Sequence, residues 1–312
     1  MNSPWSSISA QNVVDLYRSI LGRDPETPEI VVEQIGLGSV EAVAFALVNS
    51  VEFRLKRNLE SRAIGNLRLL RCFDFELYVP EGDWMFDDVE RDAVYEPYVI
   101  EAFREKCAGR TVMDVGANIG IFSLSAAKVT DKPIIAVEAS PENAKLIVIN
   151  AKHNEADNIR VVPAAAASEI GMAKFQRAHT ANKVTRDYDL SAETVDTIDV
   201  TTALPLDMVV REPVDVLKID IEGYEWNALQ GAGQLMSGKP TVFLEFSPEF
   251  MRDGAGIDAD TFLKFFFGRG YEATILHRDM SRENVGQDVE RLVEAWKTYK
   301  DRNVTHLDLM MQ

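Results

Sequence analysis

The chain has 312 residues, 46% hydrophobic and 27% charged, enough apolar surface for one large core and a smaller second unit. Fifty acidic against 33 basic residues leave a formal charge of −17, which argues against DNA or RNA binding, since that affinity rests on Lys and Arg neutralising phosphates. Only Cys72 and Cys107 are present, too few for a disulfide framework and not spaced for zinc.

The first sixty residues read as short helices. "VVDLYRSIL" puts Val13, Leu16, Tyr17 and Ile20 on one face and stops at Gly22. Asp24-Pro25 and Thr27-Pro28 mark a turn before "EIVVEQIGLG", and "SVEAVAFALVNSVEFRLK" follows as an amphipathic helix. This segment, roughly residues 10–57, resembles a small helical module of unknown function found repeated or fused in bacterial proteins. "LYRSILGRDPE" and "NSVEF" carry the resemblance, while the glycine and tryptophan usual in its middle are missing. We expect a helical unit over residues 1–63, serving docking or oligomerisation or acting as a structural appendage, and a second domain over 64–312.

From Leu67 the pattern changes. "LRLLRCFDFELYVP" alternates and predicts one or two strands, and "GDWMFDDVERDAVYEP" is an acidic connection into a helix over 98–106. Then strands ("TVMDV", "PIIAVEA", "IRVVPAAAA") alternate with helices ("IGIFSLSAAK", "PENAKLIVINAKHN"). Hairpin-like material runs to about Thr202. The alternation resumes through "VDVLKID", "YEWNALQGA", "TVFLEF", "DADTFLKFFFGRG" and "YEATILH". "ENVGQDVERLVEAWKTYK" reads as helix and "VTHLDLMM" as a closing strand. Short buried strands alternating with helices make an α/β fold with a doubly wound sheet.

Ligands of such sheets sit at the carboxyl ends of the strands, near the point where strand order reverses. The first strand of the unit ends at Asp114-Val115-Gly116, and Gly116 and Gly120 allow a tight turn and close approach of a ligand. A dinucleotide loop would read Gly-x-Gly-x-x-Gly to rest a pyrophosphate on the helix N-terminus. Here Asp114 puts a negative charge there instead, which suits a cationic group such as an amino acid's ammonium. Glu138 follows Gly120 by eighteen residues, at the end of the second strand beside Ala139, and can accept both hydroxyls of a ribose. Ala164 and Ala165 end the third strand and leave a flat apolar slot for adenine. Ammonium, ribose and adenine together describe S-adenosylmethionine.

Residues 95–245 resemble the FkbM-type family of S-adenosylmethionine-dependent methyltransferases, through "YEP", "VMDVGANIGIFSLSAAK", "VEASPENAKLIVIN" and above all "VDVLKIDIEGYEWNALQGA". The resemblance implies a seven-stranded methyltransferase sheet with an antiparallel last strand, and methyl transfer, usually to oxygen. It also places Asp114, Gly116 and Asn118 in the family's first cofactor motif and Glu138 as its ribose-binding acid.

In "VDVLKID", Lys218 and Asp220 share one face of the strand. A lysine inside an apolar strand needs a partner, and Asp220 or Glu222 can supply it. The same two acids stand at the carboxyl edge, where they could orient or deprotonate an acceptor hydroxyl. Glu245 ends "TVFLEF" as a third edge acid. Asp220, Glu222 and Glu245 could instead hold a hard divalent ion, but nothing in their spacing demands one, and no metal is expected. His277 is a further candidate base, with a capping role the simpler reading. Glu96, within Tyr95-Glu96-Pro97, is expected near the methionine end of the cofactor, although Pro at a helix start explains the phrase without function. "RAHTANKVTRDYDL" and "GDWMFDD" are expected to form an acceptor lid.

The sequence therefore predicts a methyltransferase using S-adenosylmethionine on a hydroxyl of a small molecule or a glycan sugar. A nucleotide-binding oxidoreductase on a similar fold and a non-catalytic cofactor-binding scaffold are the rivals. The first twenty residues lack the basic start and apolar run of a signal peptide, and no apolar stretch is long enough to span a bilayer. A cytoplasmic protein is expected.

Overall fold

The computed structural model describes residues 8–21, 23–48, 50, 66–176, 183–184, 198–210, 212–302 and 304–312. The strands, numbered in chain order, are β1 (Leu67–Cys72), β2 (Phe75–Pro80), β3 (Val112–Val115), β4 (Ile134–Glu138), β5 (Ile159–Pro163), β6 (Ala165–Ala166) and β7 (Gly171–Gln176). They continue with β8 (Lys183–Val184), β9 (Ile198–Leu204), β10 (Val216–Ile219), β11 (Thr241–Phe246), β12 (Ala273–Leu276), β13 (Arg282–Gly286) and β14 (Leu307–Met311).

The main sheet has the order β13-β12-β14-β11-β10-β3-β4-β5. The chain winds outward from β3 through β4 to β5, then returns to the other side of β3 with β10 and β11, all parallel. β14 inserts antiparallel between β11 and β12, as expected of the methyltransferase sheet. One strand exceeds the seven expected. Glu283–Gly286, read from sequence as the start of a helix, instead belong to β13, which pairs antiparallel with β12, and the helix begins at Val289 after an Asp288 cap. The stretch is polar and lacks either period, so only the exposed edge of β12 decides its form. A four-stranded sheet, β6-β9-β7-β8, forms from the hairpin-like material after β5.

Side chains of the main sheet alternate between two cores. Val112, Ile134, Val216, Phe243 and Met310 face one side, where Phe103 meets Phe243 and Phe122 edge-on. Met113, Ile135, Leu217, Leu244 and Leu309 face the other. The helices Ala10–Leu16 and Val40–Val48 belong to this second core: Val13, Leu16, Val43 and Leu47 are buried in one cluster with Leu206 and Met208. The N-terminal helices thus pack directly on the sheet's own helical layer.

Two local devices shape the region around the future site. Asn150, fully buried on the helix Pro141–His153, donates to the carbonyls of Tyr78 and Ile119 and accepts from the Tyr78 amide. It ties the β1–β2 hairpin to the loop after β3. The same helix starts at Ser140, whose side chain accepts from the Asn143 amide, with Pro141 in the first turn. That cap fixes the bend that follows Glu138.

Candidate active site

The strand order reverses at β3, and a cleft opens at the carboxyl ends of β3, β4, β5 and β10. Gly116, Asn118, Glu138, Ala139, Ala164, Ala165, Lys218, Asp220, Glu222 and Glu245 all line it. Met85, Phe86 and Tyr95 close it from the side of the "GDWMFDD" stretch. The other half of the expected lid, "RAHTANKVTRDYDL", lies outside the described residues except for Lys183 and Val184.

The loop after β3 is drawn tight by backbone bonds. The amides of Gly116 and Ala117 both donate to the Val137 carbonyl, at 2.9 and 3.1 Å. Gly116 has φ +78°, and a Cβ there would stand 1.9 Å from the Asp220 carbonyl oxygen. Its glycine is therefore demanded by the neighbouring loop after β10, where sequence reasoning had assigned the space to a ligand. Gly120 begins the helix Ile121–Ala127 beside Ile147 and does not line the cleft.

Asp114 also departs from expectation. It is fully buried, accepts from the Ser123 hydroxyl at 2.7 Å, and is not among the residues lining the cleft. Burial pushes its carboxyl up, while the Lys218 ammonium pulls it down. Lys218 is its register neighbour on β10, so Asp114 lies beneath the floor of the cleft, with its Oδ1 unpartnered among the described residues.

Glu138 ends β4 and lines the cleft. One oxygen accepts from the Asn118 amide at 2.9 Å and the other from the Ser140 amide at 2.8 Å. A carboxylate offers about four lone-pair positions, so acceptor capacity remains for a ligand beside the amides of Asn118, Ser140 and Ala139. Burial pushes Glu138 up to about 7 despite these amides, and hydroxyl donors from a ligand would favour the charged form.

The phrase "KIDIEGYE" acquires a physical reading. The Lys218 ammonium lies 2.9 Å from Asp220 and 4.4 Å from the centre of the Phe122 ring. Glu222 takes φ +56°, and Gly223 follows at φ +97°, where a Cβ would meet the Phe250 carbonyl oxygen at 2.5 Å. Glu225, buried and not singled out from sequence, accepts from the amides of Ile221 and Gly223 and so holds this turn. Asn118 and Glu96 likewise have left-handed backbones, at φ +52° and +40°. Asn118 and Glu222 line the cleft and Glu96 the cavity beside it; left-handed non-glycine residues are costly, about 1–3 kcal/mol each, and such strain gathers at functional sites.

Glu96 precedes the helix Pro97–Cys107 and faces a small adjoining cavity with Lys218, Asp220, Glu245 and Asp308. Burial and the nearby charges of Asp308 and Asp220 push Glu96 up to about 8. Burial also raises Glu245 and Asp308. In the unfolded chain such carboxyls titrate near 4. The folded protein therefore holds protons that the unfolded one has lost, and stability falls as pH rises from about 5 to about 8. Denaturant titration of the cofactor-free protein should show a loss on the order of 2–5 kcal/mol over that range, with a shallower slope in Glu96→Gln. A flat or rising profile would contradict this charge arrangement.

His277, the other candidate base, is engaged elsewhere. Its ring nitrogens contact the Tyr299 hydroxyl at 2.7 Å and Glu283 at 3.2 Å, in a separate surface pocket. Sequence reasoning also missed His306 and Asp308 of the β14 region, which reach the same corner as Glu245. The alternation in "THLDLMM" puts both on one face, but not against which strand.

Residues 114–273, just over half of the chain, match the Methyltransferase FkbM domain. The chain belongs to this family. The matched region is a methyltransferase domain, of a family that uses S-adenosylmethionine. No curated protein matches the sequence. Among solved structures, it is similar to the FkbM methyltransferase of Methylobacillus flagellatus at 15% identity and TM-score 0.41, covering 97% of this chain and 59% of that one. It is also similar to Trm5b of Pyrococcus abyssi, at 14% identity and TM-score 0.42, covering 81% and 58%. An rRNA methylase of Streptococcus thermophilus aligns at 10% identity and TM-score 0.41, covering 69% and 93%. The chain thus spans less than three fifths of the first two structures. Among the described residues, no helix is long and apolar enough to cross a membrane.

Proposed function

We propose that the FkbM domain here methylates a hydroxyl oxygen of a small molecule or of a sugar unit in a glycan. The observation that carries this reading is the row of carboxylates, Asp220, Glu222 and Glu245, on the same cleft as Glu138 and the alanine slot. An alcohol is a weak nucleophile while protonated, and a base within hydrogen-bond reach is worth about 10²–10⁴ in rate. A net charge of −17 supports a neutral or cationic acceptor over a nucleic acid.

In this reading Glu138 accepts the ribose hydroxyls with its remaining acceptor capacity, and Ala139, Ala164 and Ala165 border the adenine. Gly116 and Asn118 hold the loop against the cofactor, and Asp114 acts as a positioning residue through Ser123 and Lys218. S-adenosylmethionine, when bound, supplies a sulfonium methyl that the acceptor oxygen takes while the carbon–sulfur electron pair returns to sulfur. Asp220 receives the hydroxyl proton, Lys218 holds its carboxylate in place, and Glu222 and Glu245 orient the acceptor. Positioning in line supplies much of the remaining acceleration.

The test is transfer of labelled methyl from S-adenosylmethionine to a panel of sugars, polyols and hydroxylated polyketides. The wild type should label hydroxyl acceptors, and Asp220→Asn should lower kcat by about 10²–10⁴ with cofactor affinity retained. Transfer to nitrogen acceptors alone, or an undiminished Asp220→Asn, would refute the assignment. Cofactor binding without turnover on any acceptor would favour a scaffold.

A further inference from the structure

The antiparallel register of β11 and β14 sets Glu245 directly opposite Asp308. Two acids facing each other across a ladder repel, and sheets normally avoid the arrangement. His306 completes a triangle with them: one ligating atom from each lies within 4.8 Å of the other two. Its Nδ1 is 3.5 Å from Glu245 Oε2 and its Nε2 is 3.8 Å from Asp308 Oδ2. These separations are long for hydrogen bonds. Nε2 is nevertheless buried and has no hydrogen-bond partner among the described residues. The three side chains are only 16%, 19% and 10% exposed for His306, Glu245 and Asp308.

The surroundings sharpen the point. The small cavity beside this triangle is lined by four acids, Glu96, Asp220, Glu245 and Asp308, and by one lysine, Lys218, already paired to Asp220. Tyr98 donates its hydroxyl at 2.8 Å to Asp308 Oδ2, the oxygen that lies 3.8 Å from His306 Nε2, and so fixes that carboxylate, as outer partners do for metal ligands.

We propose that Glu245, His306 and Asp308 bind one divalent transition-metal ion at the edge of the cofactor cleft. Two carboxylates and one imidazole form a mixed oxygen and nitrogen set that suits Mn²⁺, Fe²⁺ or Zn²⁺ better than Ca²⁺. Bonds of about 2.0–2.2 Å require the ligand atoms to close in by roughly an ångström, within reach of rotamer adjustment. The ion neutralises the opposed acids and gives the buried imidazole nitrogen a partner. Three protein ligands leave coordination positions open. Glu245 also lines the cofactor cleft. Resting on the hydroxyl-acceptor reading above, the ion takes the acceptor oxygen and lowers its pKa, so that the proton passes more readily to Asp220.

The test uses Mn²⁺ as the probe. Chelator-treated full-length protein is titrated with Mn²⁺ and followed by loss of the free-ion paramagnetic resonance signal, with Zn²⁺ as competitor. S-adenosylmethionine binding is measured in parallel by calorimetry with chelator present. One competable Mn²⁺ per chain is expected, weakened about tenfold or more in His306→Gln and in Asp308→Asn, and unchanged in the surface control Glu290→Gln. Mn²⁺ should also raise the melting temperature of the wild type, a readout that stands even if a variant fails to fold. No binding of Mn²⁺ or Zn²⁺ at about 1 mM, or equal binding by His306→Gln, overturns the site. Cofactor binding in chelator that survives such a result leaves the methyltransferase reading intact, whereas metal binding without cofactor binding would sink only that reading.

Discussion

Replacing Gly116 with alanine is expected to destabilise the protein by about 3 kcal/mol or more and to abolish S-adenosylmethionine binding. Its Cβ would sit 1.9 Å from the Asp220 carbonyl oxygen and 2.8 Å from Ile221 Cγ2, at φ +78°. The first contact is with backbone, so no rotamer change relieves it. The loop cannot retreat either, because Gly116 and Ala117 are bonded to Val137 while the Asp220 amide donates to the Val115 carbonyl. Relief must therefore part β3 from β10 at the edge that carries both Asn118 and Asp220. Gly82 provides the comparison: it has nearly the same φ, +79°, with nothing within 4 Å of a Cβ. Gly82→Ala should cost only about 1 kcal/mol and leave binding alone. Urea denaturation of both variants, with calorimetry on the folded fraction, separates packing from conformational strain. A Gly116→Ala protein that matched Gly82→Ala in both measurements would show that the two loops do not touch as described.

The second large effect is expected at Lys218. Burial alone would push its ammonium down, yet Asp220 and Asp114 together hold it above the ordinary lysine value. Lys218→Met keeps the length and the apolar stem but leaves the buried Asp114 and the partly buried Asp220 without their shared counter-charge. Breaking such a group by removing one charge costs about 3–5 kcal/mol. Removing a second charge should return part of that: Lys218→Met with Asp220→Asn is expected to be more stable than Lys218→Met alone. Denaturant midpoints of the three proteins form the decisive set. A Lys218→Met variant as stable as wild type would mean that the lysine is paired too weakly to organise the loop after β10.

Much of this site was legible in the chain because its signals are local. A strand ending in Asp-Val-Gly before an apolar helix, an acid at the end of the next strand, and small residues after the third each lie within one strand–loop–helix unit. Period two was enough to pair Lys218 with Asp220. What escaped was depth and partnership across the sheet. Alternation gives the face of Asp114 but not that Ser123 and Lys218 enclose it beneath the cleft. Gly116 answers to Asp220, about a hundred residues away, so its reason lies in sheet order rather than in the loop. Asp308 opposes Glu245 only because β14 runs antiparallel beside β11, which neither strand reveals alone. The β13 strand escaped for a related reason, since its polar residues have no period and only the edge of β12 recruits them.

The account depends most on Glu138 as the acid that holds the cofactor's ribose. Calorimetric titration of S-adenosylmethionine into wild type and Glu138→Gln tests it directly. The glutamine has one acceptor oxygen where the carboxylate has two, and its amide nitrogen would face the Asn118 or Ser140 amide. We expect the wild type to bind one cofactor per chain and Glu138→Gln to bind at least about tenfold more weakly, a loss of about 1.4 kcal/mol or more. Equal affinity in a folded Glu138→Gln protein would place the ribose elsewhere and contradict the site as assigned.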